Sequence, residues 1–385
     1  MSRGYSLITR VKTSFSVVDL LQGLFASNSG SAKQKCLSFL CDFYNGESVC
    51  LTPSARDAIY ELLMRLPQKK VVVPAYTCIV VVEAVKLAGK EIVYAPTEKG
   101  SFNSSYLECI TADCIVLATH QYGLPCNIKA IAKKCQEVGA VLIEDCATSM
   151  GTTVDGQMTG TFGDYAVVSF NASKMLTVPP CGGLLIGKNR QMIEEIERNA
   201  DWKDCDWKFK MRGLIRGFVF LLTENHMFYK FFHWWSIDRK GKIQRTEHEK
   251  PSEIKTDLYK YRFAEWQAVI LWKQLQQLDK IMARRKEIYA YYDKYINNPL
   301  LKKPIHNPYA VCCRYAVLAE NRYTFYKACV SKGVDMDFSH CTLGCPESFE
   351  YDHKIAKEVL NLPFYYHMSD KEMKKVVSVV NSIKL

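Results

Sequence analysis

Six short apolar runs, largely β-branched, recur through the first half of the chain: Val71–Val73, Ile92–Tyr94, Ile115–Ala118, Val141–Ile143, Ala166–Phe170 and Leu184–Ile186. They are continuously apolar rather than alternating, which predicts strands covered on both faces. Helix-like segments separate several of them: Ser54–Leu66, Thr77–Ala88 and Ile128–Val138. Strands that alternate with helices in this way restrict the chain to an α/β fold, with a mainly parallel sheet between two helical layers.

After Arg190 the pattern changes. Residues 200–258 are aromatic and basic and include RGLIRGFVFLLTENHMFYKFFHWW. Ala268, Leu271, Leu275, Leu278 and Met282 then recur every three or four residues, which predicts one long amphipathic helix. Mixed short elements follow from Tyr315, and a final helix is expected near Lys371–Ile383. These shifts divide the chain into an N-terminal segment (1–48), a large domain (49–258) carrying a 200–258 insertion, and a linking helix with a smaller C-terminal α/β domain (259–385).

The apolar stretch Gly217–Leu222 is too short to span a bilayer, and Thr223, Glu224 and Asn225 end it. One reading of the insertion is an interfacial membrane patch, with Phe228, Phe231, Phe232, Trp234 and Trp235 beside Arg212, Arg216 and Lys230. The favoured reading is a lid or dimer-packing element buried against the sheet domain, because aromatic clusters are usually core.

With 385 residues and 48% hydrophobic content, the chain can bury a full core. Its formal charge of +11 is spread along its length, which suits a small anionic ligand, and no nucleic-acid motif is present. None of the 16 cysteines forms a C-x-x-C pair, and Cys341 and Cys345 have no second pair to complete a zinc site, so no metal is expected. Cys114, Cys146 and Cys329 sit in apolar runs, as reduced cysteines of a cytoplasmic protein would. Arg3, Arg10 and Lys12 are followed by Asp19 and Gln22, which make a poor signal peptide.

Ligands of open α/β sheets bind beyond the carboxyl ends of the strands. Four features fall there: Asp145 after Val141–Ile143, Lys174 after the strand ending at Phe170, Ser169 at that strand's end, and the helix start at Ser54, whose free Ala55 and Arg56 amides suit a phosphate. Each has an ordinary reading as a cap, a salt-bridge partner or a solvated loop residue. Together they match pyridoxal phosphate, which needs a lysine, a carboxylate for its ring nitrogen and donors for its phosphate. No G-x-G-x-x-G follows a strand, and neither G-x-x-x-x-G-K-[ST] nor H-E-x-x-H occurs.

The motifs VVVPAYTC (71–78), HQYGLP (120–125), IEDCATSMG (143–151), GTFGDYAVVSFNASK (160–174), the glycine pair 182–183 and YRFAEWQAVILWKQLQQLD (261–279) occur in order. In these the chain resembles the sugar-nucleotide aminotransferases of the DegT/DnrJ/StrS family, and the closing LNLPFYYHMSDKEMKKV resembles their C-terminal segment. The resemblance implies the pyridoxal-phosphate-dependent fold type I, with a seven-stranded, mainly parallel sheet. It implies that Lys174 bonds the cofactor and shuttles a proton, that Asp145 faces the ring nitrogen, and that Ser169 with the Ala55 and Arg56 amides holds the phosphate.

It further implies an amino donor such as glutamate, a nucleotide-linked keto sugar as acceptor, and a homodimer with shared sites. His120 would support the site. Thr148 stands where the family usually has glutamine or histidine, and Cys78 where many members stack an aromatic ring. Lys260 replaces the asparagine that usually reaches the neighbouring subunit's phosphate. A dehydratase relative would carry histidine in place of Lys174, and a cofactor-binding sensor or scaffold without turnover is the reading from another class.

Overall fold

The computed structural model describes residues 7–27, 29–233, 261–303, 305, 307–339 and 343–384. Seven strands form the central sheet: β1 (Ser48–Thr52), β2 (Lys70–Pro74), β3 (Glu91–Ala95), β4 (Cys114–Thr119), β5 (Val141–Asp145), β8 (Tyr165–Ser169) and β9 (Gly183–Gly187). A small hairpin of β6 (Thr153–Val154) and β7 (Gln157–Met158) lies between β5 and β8. The order across the sheet is β1-β9-β8-β5-β4-β2-β3. Neighbours from β3 to β8 are parallel, and β9 alone runs against both of its neighbours.

Period-two alternation sends side chains of each strand to opposite faces. Val71, Val73, Ile115, Leu117, Ile143, Val167 and Leu185 form one buried layer with α3 (Ala55–Arg65), α4 (Ile79–Leu87) and α6 (Arg190–Asn199). Val72, Val116, Ala118 and Leu142 turn the other way, toward α5 (Ile128–Val138). Ala166, Val168, Leu184 and Ile186 meet α2 (Ser31–Phe43) and α9 (Glu265–Leu275). Both faces are covered, so the strands read as unbroken apolar runs.

The expected single helix around Ala268–Met282 is two helices. α9 ends at Leu275, and α10 (Leu278–Tyr295) begins after a turn at Gln276–Gln277. Leu275 and Leu278 are both buried across that turn, so the apolar spacing continues while the helix does not. The smaller domain pairs β10 (Tyr315–Leu318) antiparallel with β11 (Val359–Leu362) and adds α11 (Arg322–Ser331), α12 (Glu350–Glu358) and α13 (Asp370–Asn381). The N-terminal segment contributes to it: Ile8 bridges Val334, donating to the Gly333 carbonyl and accepting from the Asp335 amide.

The 200–258 insertion is described as far as His233. α7 (Trp207–Glu224) packs one side, through Phe209, Leu214, Gly213 and Gly217, against Trp266 of α9 and Leu20 of α1 (Val17–Leu24). α8 (His226–His233) docks on the smaller domain, where Tyr229, His233, Tyr326 and Arg10 converge on the buried Asp335 carboxylate. One face of α7 is buried against α1 and α9. Exposed Ile215, Phe218 and Val219 lie on the other. No helix among the described residues is long and apolar enough to cross a membrane, and the fifteen cysteines of the described residues are all free.

Candidate active site

Glu144 and Asp145 end β5 on opposite faces of the sheet, and that alternation divides their work. Glu144 points into the protein, where Oε1 accepts from the Phe162 and Gly163 amides at 2.7 and 2.8 Å. Its Oε2 accepts from the Gly160 amide at 2.9 Å and meets His120 Nε2 at 3.1 Å. The Cys126 amide donates to His120 Nδ1 at 3.2 Å, so the imidazole proton sits on Nε2, toward Glu144. His120, Glu144 and Cys146 lie close enough together to suggest a metal cluster. All four acceptor positions of the carboxylate are already used, which makes the group a structural anchor for the Gly160–Gly163 loop.

Asp145 faces a cavity of about 180 Å³ at the carboxyl ends of the strands. Its Oδ1 accepts from the Ala147 amide at 3.0 Å. Burial pushes its carboxyl above the ordinary range, against the pull of the Ala147 amide and the Lys174 charge. Thr119, its partner across the ladder with β4, also lines the cavity, and its buried Oγ1 has no hydrogen-bond partner. Ser169 closes β8, with its Oγ accepting weakly from the Asn171 amide at 3.4 Å. Lys174 follows on a short loop and lines the same cavity.

The opposite wall is the start of α3. Ser54 caps it, its Oγ accepting from the Asp57 amide at 3.2 Å. The amides of Ala55 and Arg56 occupy the first turn, where no intrahelical acceptor exists. β9 comes so close here that a Cβ on Gly183 would lie 2.4 Å from the Ser54 carbonyl carbon and 2.5 Å from the Ala55 nitrogen. The second glycine of the 182–183 pair is therefore a steric requirement of the wall. Arg56 pairs with Glu83 at 3.5 Å under cover of the wall. Burial raises the neighbouring Asp57 carboxyl to about 7.

Cys78 caps α4 without a side-chain hydrogen bond and lines the cavity, its thiol pushed up by burial. Thr148 also lines it, with its hydroxyl donating to the His120 carbonyl at 2.8 Å. The structure thus gathers Ser54, Ala55, Arg56, Cys78, Asp145, Thr148, Ser169 and Lys174 around one space. His120 stands behind that space, and Lys260 lies outside the described residues.

Four residues were not singled out from the sequence. Thr119 carries the same signal as Asp145, a polar residue closing an apolar strand. Gln121, whose amide donates to the Tyr76 carbonyl at 2.6 Å, and Asn171 also line the cavity. The fourth, Arg314, comes from the smaller domain and donates to Ser173 Oγ at 2.8 Å and to Asp337. Ser173 stands in the left-handed region at φ 68°, immediately before Lys174. The Cys313 thiol donates to the Ser173 carbonyl at 3.3 Å, so the smaller domain holds the lysine loop in its strained shape.

The donor set tests the fit to pyridoxal phosphate. An unpartnered buried hydroxyl, a buried carboxylate held above its ordinary range, a lysine and an open helix N-terminus line one cavity. A cationic ring nitrogen would answer the carboxylate, and a phosphate would answer the helix start. The residues fit the group.

A mainly parallel seven-stranded sheet with this site at its carboxyl edge defines a transferase of the pyridoxal-phosphate fold type I. The family model of the DegT/DnrJ/EryC1/StrS aminotransferase family matches residues 11–381. The dTDP-4-dehydro-2,3,6-trideoxy-D-glucose 4-aminotransferase of Saccharopolyspora spinosa is 27% identical over 73% of this chain and 68% of its own. The GDP-perosamine synthase of Vibrio cholerae is 27% identical over 58% of the chain, a match that spans half of that relative's length. Among solved structures, Helicobacter pylori PseC, an aminotransferase involved in the biosynthesis of pseudoaminic acid, shares the fold with a TM-score of 0.73. That likeness covers 97% of this chain and 98% of the other at 14% identity. The putative sugar aminotransferase Spr1654 of Streptococcus pneumoniae, solved in PLP and PMP forms, has a TM-score of 0.70 at 17% identity, over 99% of this chain and 98% of its own. The chain belongs to the DegT/DnrJ/EryC1/StrS family, and with it to the aminotransferases that use pyridoxal phosphate.

Proposed function

We propose that the protein moves an amino group from glutamate to a keto group on a nucleotide-linked sugar. The observation that carries this reading is the single cavity joining Lys174, Asp145, Ser169 and the start of α3. The names of the Saccharopolyspora and Vibrio relatives support the acceptor class. The two cofactor forms of the pneumococcal neighbour support a two-stage exchange in which the amino group rests on the cofactor between substrates.

Pyridoxal phosphate, when bound, supplies the carbonyl that takes up the amine and a ring that draws electrons from the substrate. In this assignment Lys174 holds the cofactor between turnovers, and its Nζ removes and returns the substrate proton. Asp145 keeps a negative charge at the floor of the cavity, so that a proton stays on the nitrogen facing it. The Ala55 and Arg56 amides and the Ser169 hydroxyl hold the phosphate, with Gly183 keeping the strand close behind them. Thr119 supplies a further hydroxyl beside Asp145. Cys78, which lines the cavity, would contact the cofactor there, and its small size leaves room that an aromatic ring would fill.

The working unit in this reading is a homodimer whose sites lie between subunits. Light scattering of the holoprotein tests the dimer. The reaction is tested by incubating the holoprotein with glutamate and a panel of nucleotide-linked keto sugars, followed by mass spectrometry. An aminated product with release of 2-oxoglutarate is expected. Loss of the cofactor's visible band with no aminated sugar would reject the acceptor class, and an unchanged band would reject glutamate as donor.

A further inference from the structure

The exposed side of α7 is an apolar surface set among cations. Gly213, Leu214 and Gly217 form the inward seam, because a Cβ on Gly213 would meet the Trp266 ring at 2.5 Å and one on Gly217 would meet Leu20 at 2.8 Å. That seam fixes the rotation of the helix and turns Ile215, Phe218, Val219 and Leu222 outward, between 42 and 58% exposed. α1 lies alongside at Leu20 and adds Val18 at 60% and Phe25 at 81%, while α8 adds Phe231 at 66%. A helix that served only to cover a core would hide such residues, and extended apolar surface of this kind marks a docking site.

Charge identifies the occupant. Lys208, Arg212, Arg216 and Lys230 are exposed on the same helices. The acids on or capping these helices are engaged. Asp19 closes the capping box of α1, Asp206 caps α7, and Glu224 accepts from the Thr13 amide and hydroxyl. Among the described residues of α1, α7 and α8 the cations outnumber the acids, so a second copy seated on this face by a twofold axis would set one basic patch against another. An anionic bilayer surface answers both halves of the patch. Headgroups pair with the lysines and arginines, and the aliphatic and aromatic side chains enter the boundary with the acyl chains.

We propose that α1, α7 and α8 dock the protein on the surface of an anionic phospholipid membrane, lying in the interfacial plane without crossing it. The inference rests on this face alone and is independent of the reaction assigned to the cavity.

Co-sedimentation of the holoprotein with vesicles tests it, using equal parts phosphatidylglycerol and phosphatidylcholine against phosphatidylcholine alone. The wild type is expected to pellet with the anionic vesicles and to bind the neutral ones at least about tenfold more weakly. Ile215→Ser with Phe218→Ser should lower anionic-vesicle binding by about tenfold or more, and Phe25→Ser on α1 should lower it independently. Arg212→Gln with Arg216→Gln should weaken binding and flatten its dependence on salt. All five side chains are exposed, so an unchanged melting temperature separates lost docking from lost folding. A wild type that stays in the supernatant with both vesicles overturns the proposal, as do serine variants that bind undiminished. A serine pair that halves the particle mass assigns the face to a second copy and equally overturns it.

Discussion

Replacing Glu144 by glutamine changes one atom in a side chain that accepts four hydrogen bonds. The amide oxygen can keep the Phe162 and Gly163 amides. Its NH2 group must then face the Gly160 N–H and the protonated Nε2 of His120, two donors against a donor. The histidine cannot relieve the conflict by moving its proton, because Nδ1 already accepts from Cys126. Each unmatched buried donor costs about 1–3 kcal/mol, so the pair costs about 2–6 kcal/mol. That is a large share of the roughly 5–15 kcal/mol that holds an ordinary domain together.

Asp145→Asn, one residue along, should behave in the opposite way. Its oxygen keeps the Ala147 amide, and the change removes a carboxylate whose burial is unfavourable, so stability should move by less than about 1 kcal/mol. Transamination should instead fall at least about a hundredfold if Asp145 has the proposed role, because the charge assigned to the cofactor nitrogen is lost. Urea unfolding followed by pulse proteolysis reads the first effect, and initial rates per folded molecule read the second. A glutamine variant within about 0.5 kcal/mol of wild type would refute the anchoring argument. So would an asparagine variant as unstable as the glutamine one.

Lys174→Ala should abolish turnover and the visible band of lysine-bound cofactor, and full activity in that variant would remove the lysine from its role. Gly183→Ala should cost about 1–3 kcal/mol by overpacking against Ser54 and Ala55, and cofactor titration should show weakened affinity as the helix start shifts. Arg314→Met frees Ser173 from the smaller domain; kcat is expected to fall with cofactor affinity nearly unchanged, measured by steady-state kinetics beside a titration. Asp57 binds its proton more tightly folded than unfolded, with a pKa of about 7 against the ordinary 3.8. It therefore costs stability increasingly as pH rises between those values, and Asp57→Asn should flatten urea midpoints measured across that window relative to wild type.

The sheet was legible because burial on both faces leaves no polar residue inside β2, β4, β5 or β8 except at their ends. β1 lies outside those runs although Val49–Leu51 is as long an apolar stretch as several of them, and its one partner strand, β9, comes from far along the chain. Periodicity also carried Leu275 and Leu278 across a helix break, since a turn of the right length preserves the spacing of buried positions. Within the site, the residues at strand ends and at the helix start were legible from position alone. Arg314 was not, because its place depends on how the smaller domain sits against the lysine loop, and no local pattern in the Cys312–Arg314 stretch records that. The outward side of α7 was not legible from composition either. Aromatic content says that a surface wants cover, and only the glycine seam says which side receives it.

The hairpin of α7 and α8 is fastened at both ends to different bodies. α7 is seated by its glycines on α1 and α9, and α8 is bolted through Tyr229 and His233 to Asp335. The hairpin thus ties the large domain to the smaller one at a place away from the cavity.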